Sequence, residues 1–418
     1  MEALVIRGGR PLMGTVEISG AKNAALPILA ATMVRGGRYV LRNCPAITDV
    51  ELAAEIIRAL GGQVERAGRT LYVDTADACG WQIPSNLMAR MRASVLFLGA
   101  LLARFGRVSL TMPGGCPLGR RPIDLHLEAM ARMGASVTLR EEEILCTASH
   151  LHGGTVEFPF PSVGATENAL LAATAACGTV ILRGAAREPE IGCLIGFLRS
   201  MGAEIEGAGT DTLTVHGQAA LDGTTYTILP DRIETATYLC AAAACGGDVT
   251  LTAADGSLLL PVLEALAQAG CHIETGRDRI TLRSGGRLRA AHNLTTAPYP
   301  GFPTDAQAPM MAALLRAEGE SRLTETVFEG RMAHVAQLRK FGADIAVTGP
   351  TALIRGVTRL HPAHAEAGDL RAAAALILAA LQAEGESTIL GLKHLDRGYD
   401  NLEGNLKRLG AEITRIDN

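Results

Sequence analysis

Aromatic side chains are scarce, 4% of 418 residues with a single tryptophan, so the interior cannot be built around large rings and must close through small aliphatic residues. An excess of either charge is also missing. With 39 basic and 43 acidic residues the net charge is −4, which excludes a global field able to hold nucleic acid or an anionic membrane, and any anion must meet a local cluster. No apolar run approaches the roughly 20 residues of a membrane span. The longest, Ala93 to Ala103 and Ala372 to Ala383, are bounded by charges and read as buried helices. The start, with Arg7 interrupting Leu4-Val5-Ile6, lacks the pattern of a signal peptide, so a cytoplasmic location is expected. The nine cysteines are scattered, with no Cys-x-x-Cys pair and no clustered histidines, which argues against a disulfide framework or a zinc site. A Walker loop and a strand-linked Gly-x-Gly-x-x-Gly are absent as well, so phosphate binding of those kinds is excluded.

What is present is internal periodicity. A pattern of an apolar residue or Ala, then Gly, a small residue, any residue and an aliphatic one recurs at Gly61, Gly134, Gly202, Gly270, Gly342 and Gly410, about seventy residues apart. On the same beat, an Ala/Leu-rich helix ends near a glycine and leads into a β-type run at Gly37, Gly106, Gly178, Gly247, Gly319 and Gly385, where a helix end favours a left-handed residue. Six units of helix, strand, loop, helix, Gly turn and further strands fill 418 residues, two domains' worth of chain. The first helix of each unit, as in Ala24 to Val34 and Ala169 to Cys177, has almost no charge past its opening turn and belongs inside a domain.

A solenoid of equivalent repeats would carry polar end caps and similar loops throughout. Here the polar residues gather instead at the starts of the buried helices, and they differ from unit to unit: Lys22-Asn23, Arg92-Ala93-Ser94, Ser162-Val163-Gly164, Asp231-Arg232, Thr304-Asp305 and Asp369-Leu370-Arg371. Backbone N–H groups and partial positive charge at such starts suit anions. Read one at a time, each residue has an ordinary account. Cys116, in Pro113-Gly114-Gly115-Cys116, either fills a turn or is a thiolate favoured by Arg120 and Arg121. Lys22 is either a helix-edge charge or an anion ligand, Arg397 an exposed partner of Asp396 or a functional cation, and Asp305 a helix-dipole carboxylate or a reacting one.

As a set they carry a resemblance. Ile18-Ser19-Gly20-Ala21-Lys22-Asn23, Met91-Arg92-Ala93-Ser94, Pro113-Gly114-Gly115-Cys116, Arg121-Pro122-Ile123-Asp124-Leu125-His126, Ser162-Val163-Gly164-Ala165-Thr166, Pro230-Asp231-Arg232, Pro303-Thr304-Asp305 and Glu325-Thr326-Val327-Phe328-Glu329 together resemble the UDP-N-acetylglucosamine 1-carboxyvinyltransferase family over essentially the whole chain. Phe160-Pro161 stands where some members carry a lysine. The resemblance implies an α/β fold, a two-domain inside-out α/β barrel of six repeats, with one domain spanning residues 22–229, the other 1–21 and 230–418, and the active site in a cleft between them. It further implies transfer of the enolpyruvyl group of phosphoenolpyruvate to a UDP-sugar, with no metal, cofactor, nucleic acid or membrane partner.

By the same resemblance Cys116, Asp305, Lys22 and Arg397 would be catalytic. Lys22, Asn23, Arg121, Arg371 and Arg397 would hold phosphoenolpyruvate. Asn23, Arg92, Arg121, Pro122, Ile123, Asp124, Leu125, Ser162, Val163, Gly164, Asp305 and Val327 would contact UDP-N-acetylglucosamine. Cys116 would be the acid at C3 and the target of the epoxide fosfomycin. Two rivals share these features: the sister fold acting on shikimate phosphate, and a catalytically silent UDP-sugar-binding paralogue. The Gly-Gly-Cys loop and the Arg-Pro-Ile-Asp-Leu-His segment favour the UDP-sugar over the first. Joint retention of Lys22, Cys116, Asp305 and Arg397 weighs against the second.

Overall fold

The computed structural model describes residues 2–111, 123–140 and 143–417. The chain forms two compact units. One, here the N-unit, runs from Gly20 to Leu229, and the other, the C-unit, takes the residues up to Ser19 and from Pro230 onward. Each unit is an inside-out α/β barrel, with apolar helices within and sheets outside.

In the N-unit the central helices are Lys22–Ala31, Phe97–Phe105 and Val163–Ala173; in the C-unit they are Arg232–Cys245, Gln307–Ala313 and Leu370–Gln382. Alanine lets these helices approach closely. At Gly99 even alanine is too large, since a Cβ there would lie 2.2 Å from the Asn168 carbonyl oxygen on the neighbouring helix. Outer helices such as Thr48–Ala59 and Pro189–Ser200 are two-faced, burying Val50, Ile56 and Ile57 or Leu194, Phe197 and Leu198 on their inner sides. Full burial of one such aliphatic side chain is worth about 1.5–3 kcal/mol.

Six sheets surround these helices among the described residues, three to a unit. Five are four-stranded and combine one parallel pair with antiparallel neighbours. The parallel partner lies on the two sides of a buried helix in sequence, as when His152–Glu157 and Cys177–Arg183 flank helix Val163–Ala173. Two repeats depart from this. Thr225–Thr227 closes the N-unit beside Arg38–Arg42, and Leu12–Glu17 closes the C-unit beside Gly247–Thr252. The register puts Val249 and Leu251 level with Leu282 and Ile280 on one side and Gly14 and Val16 on the other, so buried residues face the central helices in rows.

The six repeat glycines, Gly61, Gly134, Gly202, Gly270, Gly342 and Gly410, all have positive φ, between 84° and 113°, where a side chain would be strained. Of the second set, Gly106, Gly178, Gly247, Gly319 and Gly385 do as well. Gly37 does not; it is needed for closeness, since a Cβ would come within 3.2 Å of the Gly223 backbone. Three boundaries differ from the sequence reading. The run Ala93 to Ala103 divides into a 3-10 turn, Arg92–Leu96, and helix Phe97–Phe105. The helix expected to reach Cys177 stops at Ala173, with Cys177 already in a strand, and that expected to reach Val34 stops at Ala31. The eight described cysteines are free thiols, Cys44, Cys146, Cys193, Cys240 and Cys271 buried among them. Among the described residues no helix is long and apolar enough to cross a membrane, and no group of side chains could hold a metal ion.

Candidate functional site

In the N-unit the three central helices begin without a carboxylate cap: Ala21 and Leu96 offer no side-chain hydrogen bond, nor does Met91 before the 3-10 turn Arg92–Leu96, and Ser162 accepts only a long one, 3.4 Å, from the Ala165 N–H. In the C-unit, Asp231 accepts from Ile233 and Glu234, and Asp369 from Arg371 and Ala372. The amides that an anion would use are thus already taken at two C-unit helix starts, and the N-unit starts are the better anion sites.

Lys22 opens helix Lys22–Ala31, beside Asn23, and is no ordinary surface charge. Its ammonium lies 2.8 Å from Asp49, with side-chain exposures of 12% and 3%. Asp49 sits in the first turn of helix Thr48–Ala59, so two helix starts hold the pair. Removing either partner would strand a buried charge, a loss of about 3–5 kcal/mol.

Asn168 organises the other N-unit candidates. Wholly buried, it accepts from the Gly99 N–H at 2.7 Å and donates to the Val95 carbonyl at 3.1 Å and to His126 Nδ1 at 2.8 Å, one of these hydrogens being shared with the Gly164 carbonyl at 3.4 Å. One side chain therefore ties the turn beginning at Arg92, the helix beginning at Asp124-Leu125, and the Ser162-Val163-Gly164 helix start. Burial, then the Arg92 charge, pushes His126 down to about 4, with Asp124 opposing. The ring is neutral near pH 7. Because Nδ1 accepts from Asn168, the proton is assigned to Nε2. Gly164 packs on that ring, where a Cβ would meet Cε1 at 2.9 Å. Ile123 is buried at the same helix start. Cys116, Arg120, Arg121 and Pro122 lie outside the described residues.

In the C-unit, Asp305 occupies the 3-10 turn Thr304–Ala306, and both its oxygens face guanidinium groups: Oδ1 lies 2.5 Å from Arg331 and Oδ2 3.2 Å from Arg371. The arginine side chains are 4% and 6% exposed, that of Asp305 26%. Burial alone would raise the Asp305 carboxyl, but Arg371 and Arg331 outweigh it and hold the group well below the usual carboxylate range. Arg371 also donates to the Tyr399 hydroxyl at 3.1 Å, which pairs with Thr237 at 2.8 Å. Arg397 precedes Tyr399 by two residues and is half-buried. Its neighbour Asp396 is gripped by Arg415 through two bonds of 3.0 and 2.7 Å, and Arg415 also reaches Glu403 at 3.0 Å. The carboxylate that an exposed Asp396–Arg397 pair would use is thus bound from the last strand, Glu412–Asp417. Val327 is placed by buried Glu325, whose Oε1 accepts from the Val327 and Phe328 amides and from Thr296, while Oε2 accepts from Thr304, next to Asp305.

The structure therefore brings Asp305, Arg371 and Val327 together in one unit, and Arg92, Asp124, Leu125 and Ser162 to Gly164 in the other. Sequence reasoning missed Asp49, Asn168, Arg331 and Arg415. The only available signal for these was a polar residue in an apolar helix at Asn168 and the carboxylate after the start of an amphipathic helix at Asp49.

The family profile of EPSP synthase (3-phosphoshikimate 1-carboxyvinyltransferase) matches residues 6–406. UDP-N-acetylglucosamine 1-carboxyvinyltransferase 2 of Caldanaerobacter subterraneus subsp. tengcongensis is 46% identical over 98% of this chain and 99% of its own. UDP-N-acetylglucosamine 1-carboxyvinyltransferase of Desulfosudis oleivorans is 45% identical over the whole of both. Among solved structures, the enolpyruvyl transferase NikO from Streptomyces tendae superposes with a TM-score of 0.90 at 29% identity, covering 99% of each chain. EPSP synthase from Acinetobacter baumannii shares the fold at a TM-score of 0.78 and 20% identity over the whole of both chains. Fold, helix-start chemistry and full-length relatives agree: this chain belongs to the UDP-N-acetylglucosamine 1-carboxyvinyltransferase family of enolpyruvyl transferases.

Proposed function

We propose that this enzyme transfers the enolpyruvyl group of phosphoenolpyruvate to the 3-hydroxyl of UDP-N-acetylglucosamine, releasing phosphate, in the cytoplasm and as the first committed step of peptidoglycan synthesis. The observation that carries the reading is the Asp305–Arg371–Arg331 cluster, a half-buried carboxylate backed by buried cations. It suits a reaction in which a hydroxyl loses a proton beside a substrate that carries two acidic groups. Relatives bearing this name along their whole length support the choice of sugar.

In this reading C3 of phosphoenolpyruvate takes a proton from Cys116, and C2 gains positive character. The sugar oxygen bonds to C2 as its proton passes to Asp305. The tetrahedral adduct then loses phosphate from C2, which takes the proton from Asp305, and a proton from C3 to the Cys116 thiolate, restoring the double bond and both side chains. Lys22, Arg121 and Arg397 hold the phosphate and carboxylate, Asn23 and Arg371 also contact phosphoenolpyruvate, and the charge building on the leaving phosphate meets cations. Asn23, Arg92, Arg121 to Leu125, Ser162 to Gly164, Asp305 and Val327 contact the UDP-sugar.

Phosphate release measured with phosphoenolpyruvate and either UDP-N-acetylglucosamine, shikimate 3-phosphate or no acceptor tests the reading. Release only with the UDP-sugar is expected. Release only with shikimate 3-phosphate would transfer the protein to the sister activity, and none with either would make it a silent binder.

A further inference from the structure

The Asp305 cluster poses a chemical difficulty for a base. A carboxylate accepts a proton poorly while both oxygens are held by cations, and here Oδ1 belongs to Arg331 and Oδ2 to Arg371. The two arginines are not equivalent. Arg371 is held at the longer distance, 3.2 against 2.5 Å, and has a second anchor in the Tyr399 hydroxyl, on the same loop as Arg397. Arg331 lies 5.3 Å from the centre of the Phe328 ring, and its buried Nε has no hydrogen-bond partner among the described residues.

We propose that Arg331 is a positioning residue for Asp305, and that the free enzyme keeps Asp305 as a silenced base until an acidic group of phosphoenolpyruvate draws Arg371 away. Arg331 then stays on Oδ1 and fixes the direction of the carboxylate, while Oδ2 turns to the sugar hydroxyl. When that oxygen bonds to C2, its proton moves to Oδ2. The base is thereby switched on only when phosphoenolpyruvate is in place. This rests on the enolpyruvyl-transfer reading and adds to it the order in which the site becomes reactive.

The surrounding charges agree. Around the cluster, Asp305 first, then Tyr399 and Asp231, act to keep Arg371 charged. His334, beside Arg331 and within reach of Asp369, is pushed down to about 4, chiefly by burial, and adds no positive charge near neutral pH. Arg371 and Arg331 both act on the carboxylate, Arg371 the more strongly, and both hold it down. Losing one opposite charge at this range raises a carboxyl by about 1–3 pH units.

The test is carboxyl carbon NMR of protein labelled at aspartate, with the Asp305 resonance identified by its loss in Asp305→Asn. In the free protein the resonance should not titrate across the ordinary carboxylate range. Adding phosphoenolpyruvate with UDP-N-acetylglucosamine should move its midpoint upward, and Arg331→Met should move it up by about 1–3 pH units without ligand. In turnover, the acidic limb of kcat for Arg331→Met should rise in pH and kcat should fall about a hundredfold, with KM for phosphoenolpyruvate within a few-fold. Arg331→Lys, which keeps the charge, should restore the limb. An Asp305 midpoint unmoved by substrates, or unmoved by Arg331→Met, overturns the proposal. Should Arg331→Met not fold, a wild-type midpoint that already lies in the ordinary range overturns it equally. Wild-type protein that releases no phosphate would instead overturn the enolpyruvyl-transfer reading, and the free-protein comparison would still decide whether Asp305 is silenced.

Discussion

Replacing Asn168 by Ala removes the side chain that joins three helix starts of the N-unit. Its four hydrogen bonds reach Gly99, Val95, His126 and Gly164, all in the interior or at its edge. Each buried partner left unsatisfied costs about 1–3 kcal/mol. The three shorter bonds share one side chain, so their losses do not simply add, and a total of about 3–5 kcal/mol is expected. For a unit of this size, at about 2–4 °C per kcal/mol, that lowers the melting temperature by about 6–20 °C. The functional effect should be selective, because Arg92, Asp124 and Ser162 to Gly164 lose their common tie while Asp305 and Arg371, in the other unit, keep theirs. KM for UDP-N-acetylglucosamine should rise by up to about a hundredfold, the scale of an ångström of misplacement, with a much smaller change for phosphoenolpyruvate. Calorimetry and initial-rate kinetics below the new melting point would measure both. The conservative Asn168→Asp is informative in a different way: its carboxylate still accepts from Gly99 but faces His126 Nδ1 as an anion, so the ring should gain a proton and its midpoint should rise from about 4. A melting temperature within 2–3 °C of wild type, or equal losses for both substrates, would refute the argument that Asn168 ties the sugar site together.

Three further outcomes are expected. Asp305→Asn should cut turnover about a hundredfold to ten-thousandfold with little loss of sugar binding, and rates within a few-fold of wild type would move the base elsewhere. Fosfomycin should leave one adduct, on Cys116, by mass spectrometry; burial raises the Cys146, Cys193, Cys240, Cys245 and Cys271 thiols, and exposed Cys79 and Cys177 are the controls whose labelling would count against selectivity. Acid should weaken the fold through His126 and His334. Both are held near 4 when folded and titrate at 6.5 when unfolded, so the unfolded chain binds more protons below 6.5 and stability falls between 6.5 and about 4. Each contributes on the order of 3 kcal/mol at most, and denaturation midpoints of His126→Gln should show a flatter acid limb than wild type.

Legibility in the sequence followed the range of the interactions. The repeat glycines were readable because positive φ leaves little choice of residue, and the central helices because apolarity on all sides has one use. The division of the Ala93 to Ala103 run was not readable, since the extended conformation of Met91 and the 3-10 turn after it depend on packing rather than on propensity. Nor was the pairing of Thr225–Thr227 with Arg38–Arg42, strands far apart in the chain. At the site, Lys22, Arg92, Asp305 and Arg371 announced themselves as polar residues at the starts of apolar helices. The groups that hold them or their neighbours did not: Arg331, on Asp305, lies in a loop, Arg415, on Asp396, in an edge strand, and Asn168 on a helix where its partners come from other segments.

The central claim is the identity of the bond made. Incubating the protein with phosphoenolpyruvate and UDP-N-acetylglucosamine and examining the product by proton–carbon correlation NMR tests it most directly. A vinyl-ether carbon coupled to H3 of the glucosamine ring, with one phosphate released per product, is the predicted result. Unchanged substrates, or an enolpyruvyl group attached at any other oxygen, would contradict it.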